Sequence, residues 1–278
     1  MRTTIGIVGN GFVGGAVANG LKPFADIRIY DALKERSTHH YNDVIFSDFI
    51  FVCLPTPMVD IEGGKCNLSI VEKFFEELPS ICHGIFIIKS TVPIGTTKKL
   101  CEQYPHLKII HNPEFLTAAN ANEDFINADR TVLGGKEEWV SQLIPLYKKF
   151  PHIPIFTMNS TESECVKYFS NCFLAAKVMV FNEMKMLCNE MDEVDYNFLI
   201  DGVISDTRIG NSHYDAPGPD GEYGFGGTCF PKDINSLIHT MEKHGVNPLV
   251  LKSVWEQNKN YRELWDWAEN SSAVMSEK

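Results

Sequence analysis

The 278 residues contain no run of about 18 apolar side chains, although 44% of them are apolar, so no membrane-crossing helix is expected. A basic stripe is also missing. Lys and Arg number 25 against 36 Asp and Glu, a net charge of -11, which argues against nucleic acid as a partner. The eight cysteines, at 53, 66, 82, 101, 165, 172, 188 and 229, form no C-x-x-C pair and mostly lie in apolar runs. Neither a zinc site nor a disulfide framework fits that spacing, so no metal is expected and the thiols read as reduced. No charged-then-apolar leader precedes the first strand-like run, and there is no repeat or low-complexity tract. The expectation is a soluble, cytoplasmic protein with a core large enough for two domains.

What the chain does have is a cysteine closing a glycine-rich turn, Gly224-Phe225-Gly226-Gly227-Thr228-Cys229-Phe230-Pro231-Lys232-Asp233. The glycines let backbone approach a bound molecule and reach angles closed to other residues. Pro231 suits the first turn of a following helix. A thiol just before a helix N-terminus and beside a Lys is expected to ionise more readily than usual, which is what a nucleophile needs.

Near the N-terminus, the β-branched run Thr3 to Val8 ends in Gly9-Asn10-Gly11-Phe12-Val13-Gly14 and passes into a helical stretch. A second strand, Asp26 to Tyr30, ends in Asp31, about 20 residues beyond the first glycines. Strand, tight turn, helix and a distant acid form a dinucleotide site: pyrophosphate on the helix N-terminus, ribose on the carboxylate. A carboxylate at Asp31 favours NAD over NADP, because it repels a 2'-phosphate; Arg36 works against that preference. Strands continue at Phe49 to Leu54, Gly84 to Ser90, Leu107 to His111, Thr131 to Gly134 and Ile153 to Thr157, separated by helical segments. That alternation predicts an α/β fold with a Rossmann-type, doubly wound parallel sheet.

Three strand ends carry polar groups: Pro55-Thr56-Pro57, Ser90-Thr91-Val92-Pro93 and Asn112-Pro113-Glu114-Phe115. Ser90 and Thr91 serve either a ligand or a helix cap. Glu114, enclosed between Pro and Phe, is expected to have its pKa raised by desolvation into the range of a useful base. From Thr161 to Met191 one helix runs without Gly or Pro and is apolar on nearly every side, so it needs cover on more than one face. A two-fold dimer through residues 161–191 supplies that cover; a central position in a monomer is the alternative. Lys167 and Asn171, four apart on this helix, either face solvent or point jointly into a site.

Assembled, these motifs resemble the UDP-glucose/GDP-mannose dehydrogenase family, whose members use NAD to oxidise the C6 alcohol of a nucleotide sugar to a carboxylate through two hydride transfers. The likeness rests on Gly9 to Gly14, Lys89-Ser90-Thr91-Val92-Pro93, Asn112-Pro113-Glu114-Phe115-Leu116, Lys167 with Asn171, Arg208-Ile209-Gly210 and Gly224 to Asp233. It implies that Cys229 is the covalent thiol and that Glu114 directs water onto its thioester. It further implies that Lys167, Asn171 and Asp233 handle the C6 oxygen, while Thr91 holds a water. Cofactor contacts are expected from Gly9, Gly11, Phe12, Val13, Gly14, Asp31, Arg36, Thr56, Ser90, Thr91 and Lys232. Substrate contacts are expected from Glu114, Phe115, Leu116, Lys167, Asn171, Arg208, Tyr214 and Gly226, with Arg208 reaching a neighbouring subunit's site.

The family pattern is broken at Ala118, where an acidic residue is usual, and the family's further nucleotide-binding domain would begin at about Lys278. The loop Tyr214 to Tyr223 reads as an insertion able to lie over the cleft. The expected domains are 1–159 for NAD, 160–270 as an all-α central domain with the Cys229 loop, and 271–278 as a disordered tail. Three readings of function follow: a nucleotide-sugar or sugar-phosphate dehydrogenase, a one-step hydroxyacid dehydrogenase of the 6-phosphogluconate type, and a non-catalytic or partner-dependent NAD-binding subunit.

Overall fold

The computed structural model describes residues 2–275. In chain order the elements are β1 Thr4–Val8, α1 Phe12–Leu21, β2 Asp26–Tyr30, α2 Tyr41–Ile45, β3 Phe49–Val52, β4 Met58–Asp60 and β5 Gly63–Cys66. They continue with α3 Ser69–Glu76, β6 Ile85–Ile88, α4 Thr96–Gln103, β7 Lys108–His111, α5 Ala121–Ile126 and β8 Thr131–Gly134. The last are α6 Glu137–Tyr147, β9 Ile155–Met158, α7 Ser160–Asn189, α8 Tyr196–Ile204, α9 Phe230–Lys243 and α10 Leu249–Tyr261. Two compact units result. One holds the chain through Thr56 together with Asn67–Lys167; the other holds Pro57–Cys66 and the chain from Tyr168 on. The division thus falls inside α7, eight residues past the boundary expected at 159.

In the first unit seven strands form one sheet in the order β2-β1-β3-β6-β7-β8-β9. All neighbours are parallel except β7 and β8, which meet antiparallel through His111 and Gly134, so the sheet is mixed and not wholly parallel. Successive residues of one strand serve opposite faces. On β6, Ile85 and Ile87 join the core under α1, α5 and α6, while Phe86 and Ile88 join the core under α2, α3 and α4. Strands buried on both faces read as continuous apolar runs, which is why they stood out in the sequence. Chain direction across the sheet reverses between β1 and β3, and the crevice beyond such a reversal is where doubly wound sheets bind ligands.

The second unit is helical with one exception. The hairpin β4–β5 belongs to it, although it lies in the sequence among the strands of the first unit. Trp255 Nε1 donates to the Glu62 carbonyl at 2.8 Å and Trp267 Nε1 to the Ile61 carbonyl at 3.1 Å, so two indoles clamp the hairpin tip. Helix α10 stops at Tyr261, and the chain continues through a 3-10 turn at Asp266–Glu269. The disordered tail is corrected in part: Ala273 and Val274 are buried, and Met58 N donates to the Ala273 carbonyl at 2.6 Å. Burial of two apolar side chains and pairing with Met58 hold this segment, while residues 276–278 lie outside the described residues.

Glu164, on the first turns of α7, closes the N-terminus of α4. It accepts from Gly95 N at 2.5 Å, Thr97 N at 2.8 Å and Thr97 Oγ1 at 2.6 Å. Burial raises its carboxyl to about 7 despite these hydrogen bonds. The native state therefore keeps a proton that the unfolded chain releases near its ordinary value. Stability from this group is present below pH 4.5 and is lost as pH rises through about 7. A shift of this size corresponds to roughly 3 kcal/mol. Urea unfolding midpoints measured from pH 5 to 8 should fall in the wild type, and Glu164→Gln should remove most of that slope.

Candidate active site

The turn after β1 is built by glycines with three separate jobs. Gly9 has φ +92°, and a Cβ there would lie 2.4 Å from the Cys53 carbonyl oxygen. A Cβ on Gly14 would lie 1.9 Å from the Gly9 carbonyl oxygen, so Gly14 closes the turn. Gly11 differs: a Cβ there meets nothing within 4 Å. It is the residue that leaves open space at the start of α1, beside exposed Phe12. Asp31 stands across the turn and accepts from Asn10 N at 2.6 Å and Leu33 N at 2.8 Å. Arg36 gives its carbonyl to Asn10 Nδ2 at 2.8 Å while its side chain is exposed. An open glycine at a helix N-terminus, with a carboxylate at the end of the neighbouring strand, fits the phosphates and ribose of a dinucleotide.

The ends of β3 and β6 are stitched together beside this turn. Thr56 Oγ1 donates to the Thr91 carbonyl at 2.7 Å and Ser90 Oγ to the Leu54 carbonyl at 2.7 Å. Ser90 and Thr56 thus brace the loops, and Thr91 is buried at the same rim.

At the end of β7 the sequence places a cluster of charges inside the protein. Lys167 is 2% exposed and Glu114 6% exposed. The Lys167 ammonium donates to Glu114 Oε1 at 2.8 Å and to the Glu114 carbonyl at 2.6 Å, and Leu116 N donates to Glu114 Oε2 at 2.8 Å. Burial pushes the Glu114 carboxyl up, but the charge and hydrogen bond of Lys167, the Leu116 N–H and the charge of Lys89 outweigh it and hold it below the ordinary carboxylate range. The expected rise is therefore corrected: the desolvation is real, and a paired ammonium overrides it. Phe115 lies under the Arg130 guanidinium, 4.1 Å from carbon to ring centre. Ala118, at the position where the pattern breaks, is exposed.

Lys89 was named in a motif but given no role. It is 4% exposed, donates to Asn112 Oδ1 at 3.2 Å and the Pro113 carbonyl at 3.3 Å, and burial lowers its pKa to about 8. Asn112 in turn receives Tyr147 OH and donates to the Val132 carbonyl at 2.7 Å, so both ends of its amide are used to aim Pro113 and Glu114. His111 is fully buried beside it and is kept neutral by burial and by the charges of Lys89 and Lys167, with its pKa down to about 3. The signal for this group was present in the sequence as a Lys and a His closing two apolar strands.

In the second unit Cys229 is the N-cap of α9, which begins at Phe230 with Pro231 in its first turn as expected. Asp233, 0% exposed, accepts from Lys232 Nζ at 2.5 Å and from Asn171 Nδ2 at 2.6 Å. Both Lys167 and Asn171 are buried, which excludes the solvent-facing alternative for this pair. Burial lowers the affinity of Lys232 for its proton, but Asp233, Cys66 and Cys229 more than reverse this, so Lys232 stays charged. The Lys232 ammonium has three N–H donors, one of which goes to Asp233.

Tyr214 packs edge-on against Phe181 and gives its carbonyl to Tyr196 OH at 2.5 Å. Arg208 is exposed and paired only locally with Asp206. Gly226 presses on Arg262 and Asp266. Among the described residues no group of three or more His, Cys, Asp and Glu is arranged to hold a metal ion, and no helix is long and apolar enough to cross a membrane.

The three glycines separate by experiment. Gly11→Ala should leave the melting temperature within about 2 °C while weakening dinucleotide binding by ~10-fold or more, since its methyl enters the open space. Gly14→Ala should destabilise the protein by roughly 1–3 kcal/mol, because a backbone oxygen must move. Thermal melts and a dinucleotide titration by fluorescence check both.

Two family models match the chain: the NAD binding domain of the UDP-glucose/GDP-mannose dehydrogenase family over residues 25–151, and the central domain of the same family over residues 161–260. The UDP-glucose 6-dehydrogenase of Rickettsia conorii is 34% identical over 238 residues, covering 82% of this chain and 52% of that protein. The chain spans about half the length of the curated relatives it matches. A UDP-glucose dehydrogenase structure from Pyrobaculum islandicum superposes with a TM-score of 0.80 at 27% identity, covering 94% of this chain and 68% of that one. The Mycobacterium tuberculosis 3-hydroxyisobutyrate dehydrogenase gives 0.76 over 99% of this chain and 97% of its own, but at 16% identity, a likeness of fold alone. With a dinucleotide turn on the first unit, a capped cysteine on the second and a match to each domain model, the chain belongs to the UDP-glucose/GDP-mannose dehydrogenase family.

Proposed function

We propose that the chain oxidises the C6 alcohol of a nucleotide sugar to the carboxylate, with UDP-glucose the first substrate to test, through a covalent intermediate on Cys229. The observation that carries this reading is Cys229 at the N-cap of α9, at the end of a glycine loop and next to the buried Asn171–Asp233–Lys232 chain. Bound NAD supplies the oxidising power by accepting a hydride from C6 in each of two oxidations. The protein's groups do the rest. Asn171 and Lys167 hold the C6 oxygen and the Asp233 carboxylate takes its proton as the alcohol becomes the aldehyde. The Cys229 sulfur then forms a bond to the aldehyde carbon, and the oxygen's developing charge is met by the ammonium and the amide. Loss of the second hydride leaves a thioester. Glu114, ionised and fixed by Lys167, directs a water aligned by Thr91 onto that carbon; the C–S bond breaks and the thiolate is returned.

Phe115, Leu116, Tyr214 and Gly226 are assigned to the sugar nucleotide. Gly9, Gly11, Phe12, Val13, Gly14, Asp31, Arg36, Thr56, Ser90, Thr91 and Lys232 are assigned to NAD, and the compartment is taken as the cytoplasm. NADH released per UDP-glucose consumed should be two. Cys229→Ser should lower turnover by ~100-fold or more and stop at the aldehyde. Full turnover of that variant with one NADH would overturn the thiol reading in favour of a one-step dehydrogenase. No NADH from wild type with any UDP- or GDP-sugar would leave a dinucleotide-binding subunit.

We also propose a homodimer through α7. Phe169, Phe173, Val180, Met184 and Leu187 are between 44% and 69% exposed on one chain, a row of large apolar groups that water disfavours. Arg208, exposed and held only by Asp206, is then the group each subunit lends to its neighbour's substrate. Sedimentation should give a dimer for wild type and a monomer for Phe173→Glu; a wild-type monomer overturns the pairing.

A further inference from the structure

The loop that ends in Cys229 is gripped at three of its backbone N–H groups by side chains from elsewhere in the second unit. Gly224 N donates to Asn182 Oδ1 at 2.8 Å, Phe225 N to Asn258 Oδ1 at 2.7 Å, and Gly227 N to Asp266 Oδ2 at 2.8 Å. Asn258 closes a ring by donating its Nδ2 to the Phe225 carbonyl at 3.0 Å. Asn182, on α7, and Asn258, on α10, are fully buried. Buried amides are retained only where each polar atom finds its partner, so their placement specifies one loop shape.

The glycines of the loop match these partners. A Cβ on Gly224 would lie 2.4 Å from Asn258 Oδ1; one on Gly226 would lie 2.3 Å from Asp266 Oδ1 and 2.6 Å from Arg262 Nη2. These glycines therefore let the loop press against its own supports. Gly227 is different, with φ +74° and nothing within 4 Å of a Cβ.

Arg262 links this support to a second loop. It is 5% exposed, one turn beyond Asn258, and its guanidinium spans two carboxylates: Nη2 to Asp266 Oδ1 at 3.3 Å and Nη1 to Asp220 Oδ2 at 2.9 Å. Asp220 lies in the loop between Tyr214 and Tyr223, where the Gly218 and Glu222 backbones also pair. A single guanidinium fork thus ties the 214–223 loop to the Cys229 loop, a geometry an ammonium cannot reproduce.

We propose that Asn258 and the Asp266–Arg262–Asp220 chain are positioning residues for Cys229, setting the shape of its loop and coupling it to the 214–223 loop. None of them reaches the reacting atoms on the reading above; they act through the backbone that carries the sulfur. The proposal rests on that reading of Cys229 as the nucleophile.

The test uses the full chain with Asn258→Ala, Asp266→Asn and Arg262→Lys, each first checked for a wild-type far-UV CD spectrum. The probe is iodoacetamide, with modification of Cys229 followed by peptide mass across pH 6 to 9. Each folded variant should alter the Cys229 alkylation rate or move its pH midpoint, and should lower kcat by ~10- to 100-fold, the scale of a misplacement of about 1 Å. NAD affinity should stay within about two-fold, because the dinucleotide turn is untouched. Arg262→Lys should behave as a loss and not as a rescue, since charge alone does not span two carboxylates. If folded variants alkylate and turn over as wild type does, the proposal is overturned. Asp266 is half-exposed, so Asp266→Asn decides the matter should Asn258→Ala fail to fold. Full turnover by Cys229→Ser sinks the nucleophile reading alone, while the alkylation profile still reports whether these residues place the sulfur.

Discussion

The pairing of Lys167 with Glu114 governs the first unit's chemistry, because a charge buried without a partner costs far more than the pairing returns. Once Glu114 follows a strand that ends inside the protein, a cation has to meet it, and α7 must deliver that cation at one fixed height. Two other contacts set the height. Glu164 clasps the start of α4 three residues before Lys167, and His111 Nδ1 meets Ser163 Oγ at 2.8 Å. The β7 end, the α4 N-terminus and the first turns of α7 are therefore solved together by hydrogen bonds that leave little room to slide.

The second unit repeats the logic with a different acid. Asp233 has no access to water and is satisfied by Lys232 and Asn171. An acid so committed fixes the first turn of α9, and with it the capping residue. The result is that Cys229 sits on a helix start whose roll about its axis is set by Asp233 and whose approach is set by the amides under the loop. A nucleophile gains most from such preorganisation when its partners do not have to move during reaction.

How much of this could be read from the sequence depends on the distance over which each feature is determined. The dinucleotide turn was legible because Gly9 and Gly14 answer to backbone sterics within a few residues, and Asp31 to the length of one helix and one strand. The start of α7 and the role of Pro231 were legible for the same reason. The pKa of Glu114 was misjudged because the deciding partner, Lys167, lies 53 residues away, and local surroundings report only the desolvation. The hairpin at Met58–Cys66 escaped notice because strands of three and four residues carry too little alternation to register, and its place in the second unit is set by Trp255 and Trp267 near the far end of the chain. Asn182, Asn258 and Arg262 looked like ordinary polar positions on helices; only their zero or near-zero exposure separates them from solvated ones.

The lowered pKa of Glu114 also bears on the order of events in the proposed reaction. A carboxylate that binds its proton weakly is a poor base for an alcohol, whose own proton is held tightly, and so is a poor candidate for the first oxidation. It remains a good acceptor for one O–H of a water. Hydrolysis of a thioester needs less than that of an ester or amide, since the departing thiolate is stable without a proton from a partner acid. An ionised Glu114 clamped by Lys167 is thus matched to the last step, where water must be held and aimed, while the groups around Asp233 are left to the earlier ones. Both acids carry an ammonium, Lys167 on Glu114 and Lys232 on Asp233; what sets Asp233 apart is that it also holds the Asn171 amide and lies in the first turn of the helix that Cys229 caps.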